Sequence, residues 1–226
     1  MIGFLDADDF WWPNKLARQL AYHETHPETG FSFTDYLHVD PRGELRGTCF
    51  DYWRPDFIDR KNFAFQPLPD AELALLGSNV VGASTVVASR RVLQNANGFE
   101  KDSLSAEDWS LWLRMAALAP VAASPAATAS YLMHPASVTQ NRDDRIAAMR
   151  AIVEPYRVRQ GDVARRALRQ AESRIAIAEA ERDRVAGAHW SAARRHWRAF
   201  AHWPQKRTAR ALAADLIAAA RNVGAP

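Results

Sequence analysis

An apolar run, residues 2–5, drives directly into Asp6, Asp8 and Asp9 and then into the aromatic patch Phe10-Trp11-Trp12. That order is how a buried strand looks when it ends at a charged site. A parallel strand covered on both faces reads as continuous apolar sequence. In open α/β sheets, ligands bind beyond the carboxyl ends of the strands. Carboxylates crowded there repel one another, and their desolvation is costly without a cation. A hard divalent ion with oxygen ligands, bridging to substrate phosphates, is the usual compensation. The plainer alternative is capping, with Asp8 or Asp9 as the N-cap of a helix beginning near Pro13. A calcium loop of the EF-hand kind fails, because its sixth position needs glycine and here holds Trp11. Three acids in four positions exceed what a cap requires, so the metal–diphosphate reading leads.

Composition sets the frame for that site. A chain of 226 residues accommodates one large domain or one domain with an appendage. The single Cys49 excludes an intrachain disulfide and a multi-cysteine zinc site, and it points to a reducing compartment. Asp6 interrupts the opening apolar run too early for a signal peptide. The longest uncharged stretch, residues 115–133, is long enough for a membrane span. It contains Pro120 and Pro125 and is mostly Ala, Ser and Thr, so that reading is rejected. Charge divides the chain: residues 1–142 hold 12 Lys+Arg against 17 Asp+Glu, and residues 143–226 hold 17 against 9. A change from −5 to +8 near residue 142 separates two functional regions.

The first region alternates. Residues 2–5 read as a strand, and 13–26 as a helix with Leu16, Leu20 and Tyr22 among its apolar positions. Residues 31–39 read as a second strand, 41–43 as a turn and 45–50 as a return strand. Residues 51–69 read as an irregular loop and 70–76 as a short helix. Val86 and Val87 give strand character to 82–89, and a helix over 90–96 ends at Gly98. Residues 107–118 form a helix striped by Leu111, Trp112, Met115 and Leu118, and 128–133 the last strand. The second region is almost all helix, from about 143 to 221, with breaks near Gly161, Gly187 and Pro204. Ala164, Leu168, Ala171, Ile175 and Ala178 follow helical spacing, so that helix needs a partner surface. The unit 187–204 reads as one helix of an antiparallel pair.

Two further constellations bear on chemistry. Glu107-Asp108 opens a helix, where the dipole favours acids. A carboxylate there is also suited to take the proton of an attacking hydroxyl. His134 follows the last strand and precedes Pro135; a lone histidine is more often hydrogen-bonded than metal-bound, though neutral imidazole is a good ligand. His23 and His26 lack the glutamate of a metalloprotease helix and read as structural.

These pieces have a recognisable order. Residues 5–9 with Pro13 and Lys15-Leu16 are followed by Gly82-Ala83-Ser84 leading Val86-Val87. Then come Arg90-Arg91-Val92-Leu93 with Gly98-Phe99-Glu100, then Glu107-Asp108 with Leu111 and Arg114, and finally Tyr131 and His134-Pro135. Over residues 2–140 this set resembles the family 2 inverting glycosyltransferases of GT-A fold. Each piece is weak alone, and the ordered set is strong.

The resemblance implies an α/β fold: the carboxy-terminal part of a GT-A mixed sheet over 1–142, with an all-helical appendage over 143–226. It implies transfer of a sugar from a nucleotide diphosphate to an acceptor hydroxyl with inversion. Asp6 and Asp8 look like the Asp-x-Asp pair, Asp8 being the direct ligand of Mn²⁺ or Mg²⁺ and Asp9 a supporting acid. Asp108 is similar to the family's catalytic base, with Glu107 binding acceptor or standing in for it. His134 matches a late histidine used as a metal ligand. The implied partners are a nucleotide-sugar donor and a glycan or lipid-linked acceptor, in polysaccharide assembly, with the protein in the cytoplasm at the inner face of the membrane.

One departure is large. The family's Asp-x-Asp strand follows about a hundred residues of βαβ units that bind the base and ribose, whereas Met1 here falls immediately before it. The chain therefore looks like the acceptor-side part of such an enzyme, with an apolar strand edge prone to self-association. A different class of function is a non-catalytic interaction module acting through the helices. A third is a peripheral membrane or nucleic-acid binder, from Trp190, Trp197, Phe200 and Trp203 set among Arg194, Arg195, Arg198, Lys206, Arg207 and Arg210. Trp190, Ala193, Trp197 and Phe200 share one helical face and the arginines the other, as in a helix packed on a core. Core packing is therefore the expectation for the tryptophans; nucleic acid is not expected as a partner, and membrane contact through the basic helices ranks second.

Overall fold

The computed structural model describes residues 1–100, 105–133 and 142–223. The chain divides into two compact units, the first α/β and the second helical.

The first unit is built on a mixed seven-stranded sheet whose main path runs β1-β6-β3-β7-β2, with β4 beside β3 and β5 beside β7. The strands are β1 (Ile2–Gly3), β2 (Phe10–Trp11), β3 (Phe31–Val39), β4 (Leu45–Thr48), β5 (Gln66–Pro67), β6 (Val87–Ala88) and β7 (Val121–Leu132). Among these strands only β3 and β7 run parallel. β3 supplies the core on one face: Phe31 and Phe33 are fully buried and meet Trp112 and Phe50. Behind it lies α5 (Glu107–Ala116), which buries Trp109, Leu111, Trp112, Leu113 and Met115.

The opening strand departs from expectation. It is two residues long, lies at the sheet edge and pairs antiparallel with β6, so it is not a parallel strand buried on both faces. Leu5 is half exposed. Beyond Gly3 the Phe4 N–H still donates to the Val86 carbonyl at 3.4 Å, and the chain then leaves the sheet for the turn described below.

α1 (Lys15–Thr25) occupies its expected place but turns the opposite face inward. Its buried residues are Lys15, Gln19 and His23, whereas Leu16 and Leu20 are more than a third exposed. The other face of β3 explains this, because it presents backbone and hydroxyl groups. Gln19 Nε2 donates to the Ser32 carbonyl, Ser32 Oγ and the Thr85 carbonyl, each at 3.1 Å. His23 Nε2 lies 3.0 Å from Ser32 Oγ, and Lys15 Nζ donates to Gln19 Oε1 at 2.7 Å. Burial pushes the Lys15 ammonium down to about 8.

β7 begins at Val121, seven residues before the expected start. Its register to β3 shifts between Ser124 and Ala127, opposite Thr34 and Asp35. Pro125 falls within that shift; it cannot donate to a ladder, and a bulge absorbs it. The other elements of this unit are α2 (Cys49–Trp53), α3 (Ala71–Gly77) and α4 (Arg90–Asn95). After α4, Gly98 at φ 61 donates its N–H to the Leu93 carbonyl, as a helix-terminating glycine does. No helix among the described residues is long and apolar enough to cross a membrane.

The second unit consists of α6 (Arg142–Val153), a 3₁₀ turn, α7 (Asp162–Val185), α8 (His189–His202) and α9 (Lys206–Val223). The breaks fall at the expected glycines and proline. Its interior is not the expected aromatic one. On α8 the buried residues are Ala192, Ala193, His196 and Ala199, while Trp190 and Trp197 are 53% and 61% exposed. Alanines let α8 approach α7 closely, and acids fill what remains. Glu179 is paired with Arg150 and Arg195, and Asp183 with Arg182. Asp215 accepts from Arg184 Nε and His196 Nδ1, both at 2.6 Å. An interior closed by small residues and ion pairs has no volume for an indole.

Burial raises the Asp215 carboxyl, but the hydrogen bonds from Arg184 and His196 outweigh it and hold the group below the usual carboxylate range. A depressed native pKa stabilises the fold above the unfolded pKa, and that stability is lost as pH falls through the native value. Asp215→Ala is expected to cost about 3 kcal/mol at pH 7 in denaturant unfolding, because it leaves buried His196 without its acceptor and removes the half-exposed Arg184 ion pair. The deficit should shrink below about pH 4; a cost that does not change with pH would show that packing, not charge, makes the contribution.

Candidate active site at the acid loop

The segment between β1 and β2 closes on itself through three contacts. Asp9 N–H donates to the Asp6 carbonyl at 3.1 Å, which makes the turn. The Trp11 ring returns over β1 so closely that a Cβ on Gly3 would lie 3.1 Å from it. Lys15 Nζ sits 4.6 Å from the centre of the same ring. The third contact is Ser84, which serves the loop three times. Its Oγ accepts from Asp6 N–H at 3.0 Å, its carbonyl accepts from Trp11 Nε1 at 2.6 Å, and its hydroxyl bonds the Asp9 carboxylate.

The acids divide by role. Asp9 is buried, and its carboxylate also accepts from the Leu132 N–H at 3.3 Å. Burial raises its pKa; Ser84 and Leu132 oppose the shift, and Asp6 and Asp8 add to it. Asp9 thus ties the loop to β7. Asp6 and Asp8 are exposed. The capping alternative fails, because α1 starts at Lys15 with Asn14 at its N-cap and β2 lies between the acids and the helix.

From α5 the charge of Glu107 reaches Asp6. The Asp6 carboxyl is raised first by partial desolvation, then by the charges of Asp8 and Glu107. The link is apolar. Phe4, two residues before Asp6, meets Trp112 at 5.6 Å and Phe99 at 5.7 Å between ring centres, and Phe99 meets Trp112 at 6.1 Å. Arg114 fixes the Phe99 loop to α5 by donating to the Ala96 carbonyl and, at 2.9 Å, to the Gly98 carbonyl. Ser110 Oγ donates to Glu100 at 2.9 Å. Asp108 is engaged at the start of α5, where its Oδ1 accepts from the Trp109 N–H at 2.6 Å.

His134 lies outside the described residues. Among the described residues, no three His, Cys, Asp or Glu side chains converge as a ready-made metal cage. Mg²⁺-type sites, however, use one or two carboxylates and complete their shell with water and substrate phosphate. Asp6 and Asp8 fit that role: both are oxygen donors, both exposed, and the charge of Asp8 on Asp6 is relieved by a cation. His23 and His26 are structural, His23 on Ser32 and His26 stacked on Tyr22 at 4.2 Å.

Ser84 is the residue to which the sequence attached no role. Its signal was the run Gly82-Ala83-Ser84, where Gly82 lets the Tyr36 ring approach within 2.9 Å of where a Cβ would stand. No protein-family model matches this chain, and no curated protein matches it.

Two outcomes follow. Ser84→Ala removes the acceptor of Asp6 N–H and a donor to buried Asp9, so a loss of about 1–3 kcal/mol is expected in urea unfolding. For Asp6 the sign is opposite. A raised carboxyl holds its proton more tightly when folded, so its charge lowers stability as pH rises above about 4. In metal-free buffer at pH 7, Asp6→Asn should raise Tm by about 1–2 °C, a figure discounted for exposure. A lower Tm for this variant would show that the carboxylates do not repel.

Proposed function

We propose that the first unit carries a GT-A-type glycosyltransferase site that moves a sugar from a nucleotide diphosphate to an acceptor hydroxyl with inversion. The observation behind the reading is that Asp6 and Asp8 lie exposed on one loop, with the charge of Glu107, about a hundred residues away in the chain, acting on Asp6. Residue runs that form an ordered set in the sequence make the contacts that bring this about: Ser84 beneath the acid loop, Phe99 on Phe4, Arg114 on the Gly98 carbonyl.

Asp6 and Asp8 would hold Mn²⁺ or Mg²⁺ together with the donor diphosphate. Bound there, a divalent cation supplies charge neutralisation to the departing diphosphate. The acceptor oxygen forms its bond to the anomeric carbon as the bond to diphosphate breaks, and the hydroxyl proton passes to a carboxylate of the Glu107-Asp108 pair. Asp108 is the assigned base, and its hydrogen bond to the Trp109 N–H fixes the orientation of its carboxylate. Glu107, in the field of Asp6, suits contact with the substrate nearer the acids. Asp9 and Ser84 keep the loop closed, and exposed Phe10 and Trp12 flank it.

The test is titration with Mn²⁺ and a panel of nucleotide sugars, followed by calorimetry and by release of nucleoside diphosphate. Binding is expected only with metal, and Asp8→Asn should weaken it at least about tenfold, the loss of one charged ligand. Asp108→Asn should keep donor binding and lower turnover by about 10²–10⁴. Parent-like metal and donor binding in Asp8→Asn would refute the metal assignment. Turnover lost in Glu107→Gln and kept in Asp108→Asn would move the base to Glu107.

A further inference from the structure

The helical unit carries a surface of a different chemistry from the acid loop. On α8, Trp190, Arg194, Trp197, Arg198 and Ala201 recur at helical spacing and are all exposed. Trp197 is 61% exposed and its ring stacks on Phe200 at 6.2 Å. Two indoles facing water on a helix of 14 residues are costly to keep there, since each leaves a large apolar area hydrated. The same face keeps its positive charge. Arg194 makes no ion pair among the described residues, and Arg198 has only Glu172 at 3.9 Å. On the neighbouring α9, exposed Leu216 and Ile217 accompany Lys206, Arg210 and Arg221, which also make no ion pair among the described residues.

We propose that this face of α8 seats on an anionic lipid bilayer, with Trp190 and Trp197 at the headgroup level and Arg194 and Arg198 on lipid phosphates. The charge is complementary, because clustered Lys and Arg are drawn to the negative surface of such a membrane. The aromatic content is complementary as well, because indoles settle at the membrane–water interface with their N–H groups in the polar layer. Arginine stems lie along apolar surface while the guanidinium stays in the polar layer, so mixing the two residue types on one face is no obstacle. Single-stranded nucleic acid is the weaker fit. It is held by a basic groove that tracks the phosphates, whereas α8 offers a convex stripe, and the cavity beside it is lined by Glu154, Glu172 and Glu179 as well as by arginines. The proposal stands independently of the glycosyltransferase reading.

The test uses the full chain with vesicles of neutral phosphatidylcholine, and with vesicles in which a third of the lipid is phosphatidylserine. Sedimentation and tryptophan fluorescence report binding. Partition into the anionic vesicles is expected, with a blue-shifted emission, and should weaken as salt is raised. The variant pairs Trp190→Ala with Trp197→Ala, and Arg194→Gln with Arg198→Gln, should each lower the partition by at least about fivefold. All four side chains are exposed, so circular dichroism should show the parent helix content. No partition into anionic vesicles overturns the proposal, as does a smaller effect from either pair. Tighter binding to single-stranded RNA than to the vesicles at equal salt overturns it in favour of a nucleic-acid face.

Discussion

Like charges at the end of β1 push the acid loop open, and the packing of two aromatic side chains holds it closed. Phe4 lies on Trp112 and Phe99, and the Trp11 ring folds back on Gly3. Aromatic pairs contribute about 0.5–1.5 kcal/mol each beyond the area they bury. Hydrogen bonds such as those of Ser84 add about 0.5–1.5 kcal/mol each. Repulsion between exposed carboxylates at water-like dielectric is about 1 kcal/mol at contact distance. The closing contacts therefore win, and they win without neutralising the acids. Asp6 and Asp8 remain exposed. A longer β1 would satisfy its backbone in the ladder and carry the acids away from Glu107.

The sheet beneath the loop owes its order to an unusual contact. α1 meets β3 through Lys15, Gln19 and His23, and its leucines face outward. Apolar packing tolerates sliding by a fraction of a side chain, whereas a buried amide bonded to two carbonyls and a hydroxyl admits one position. Lys15 extends that network to Trp11 and so to the acid loop. The ammonium is held in the interior by one amide oxygen and one ring, with burial lowering its proton affinity. The helix thus fixes the loop's return strand in register, at the cost of keeping a cation out of water.

Element positions were largely legible, because they rest on local signals. The glycines at 98, 161 and 187, Pro204 and the alternation over 31–39 each marked a boundary that the structure keeps. The acids at 6, 8 and 9 announced a charged loop, though their separation into exposed Asp6 and Asp8 and buried Asp9 depends on Ser84 and Leu132, which no local pattern connects to them. The facing of helices was not legible. Periodicity reports which residues share a side but not which side the neighbour wants. In α1 the neighbour is the polar face of β3, so the leucines lose. In β7, Pro125 and the alanines hid the first half of a strand that a bulge makes possible.

The helical unit shows the same rule with alanine in place of polar contact. A stripe of Trp190, Ala193, Trp197 and Phe200 reads as a core face only if the partner helix leaves room for rings. α7 turns Ala164, Ala167, Ala171 and Ala180 inward, and with them Glu172, Glu179 and Asp183. Those acids must be satisfied where they lie, since an unpaired buried carboxylate costs several kcal/mol. Arginines with stems long enough to reach in from the rim do so: Arg150 and Arg195 to Glu179, Arg157 to Glu172. Close alanine packing and an internal acid row therefore reinforce each other, and together they rotate α8 until its small residues face inward. The indoles, with Arg194 and Arg198 beside them, are left on one outer stripe as a consequence of that interior. Four of the nine acids of residues 143–226 are buried, so part of what would offset the basic residues at the surface is consumed inside.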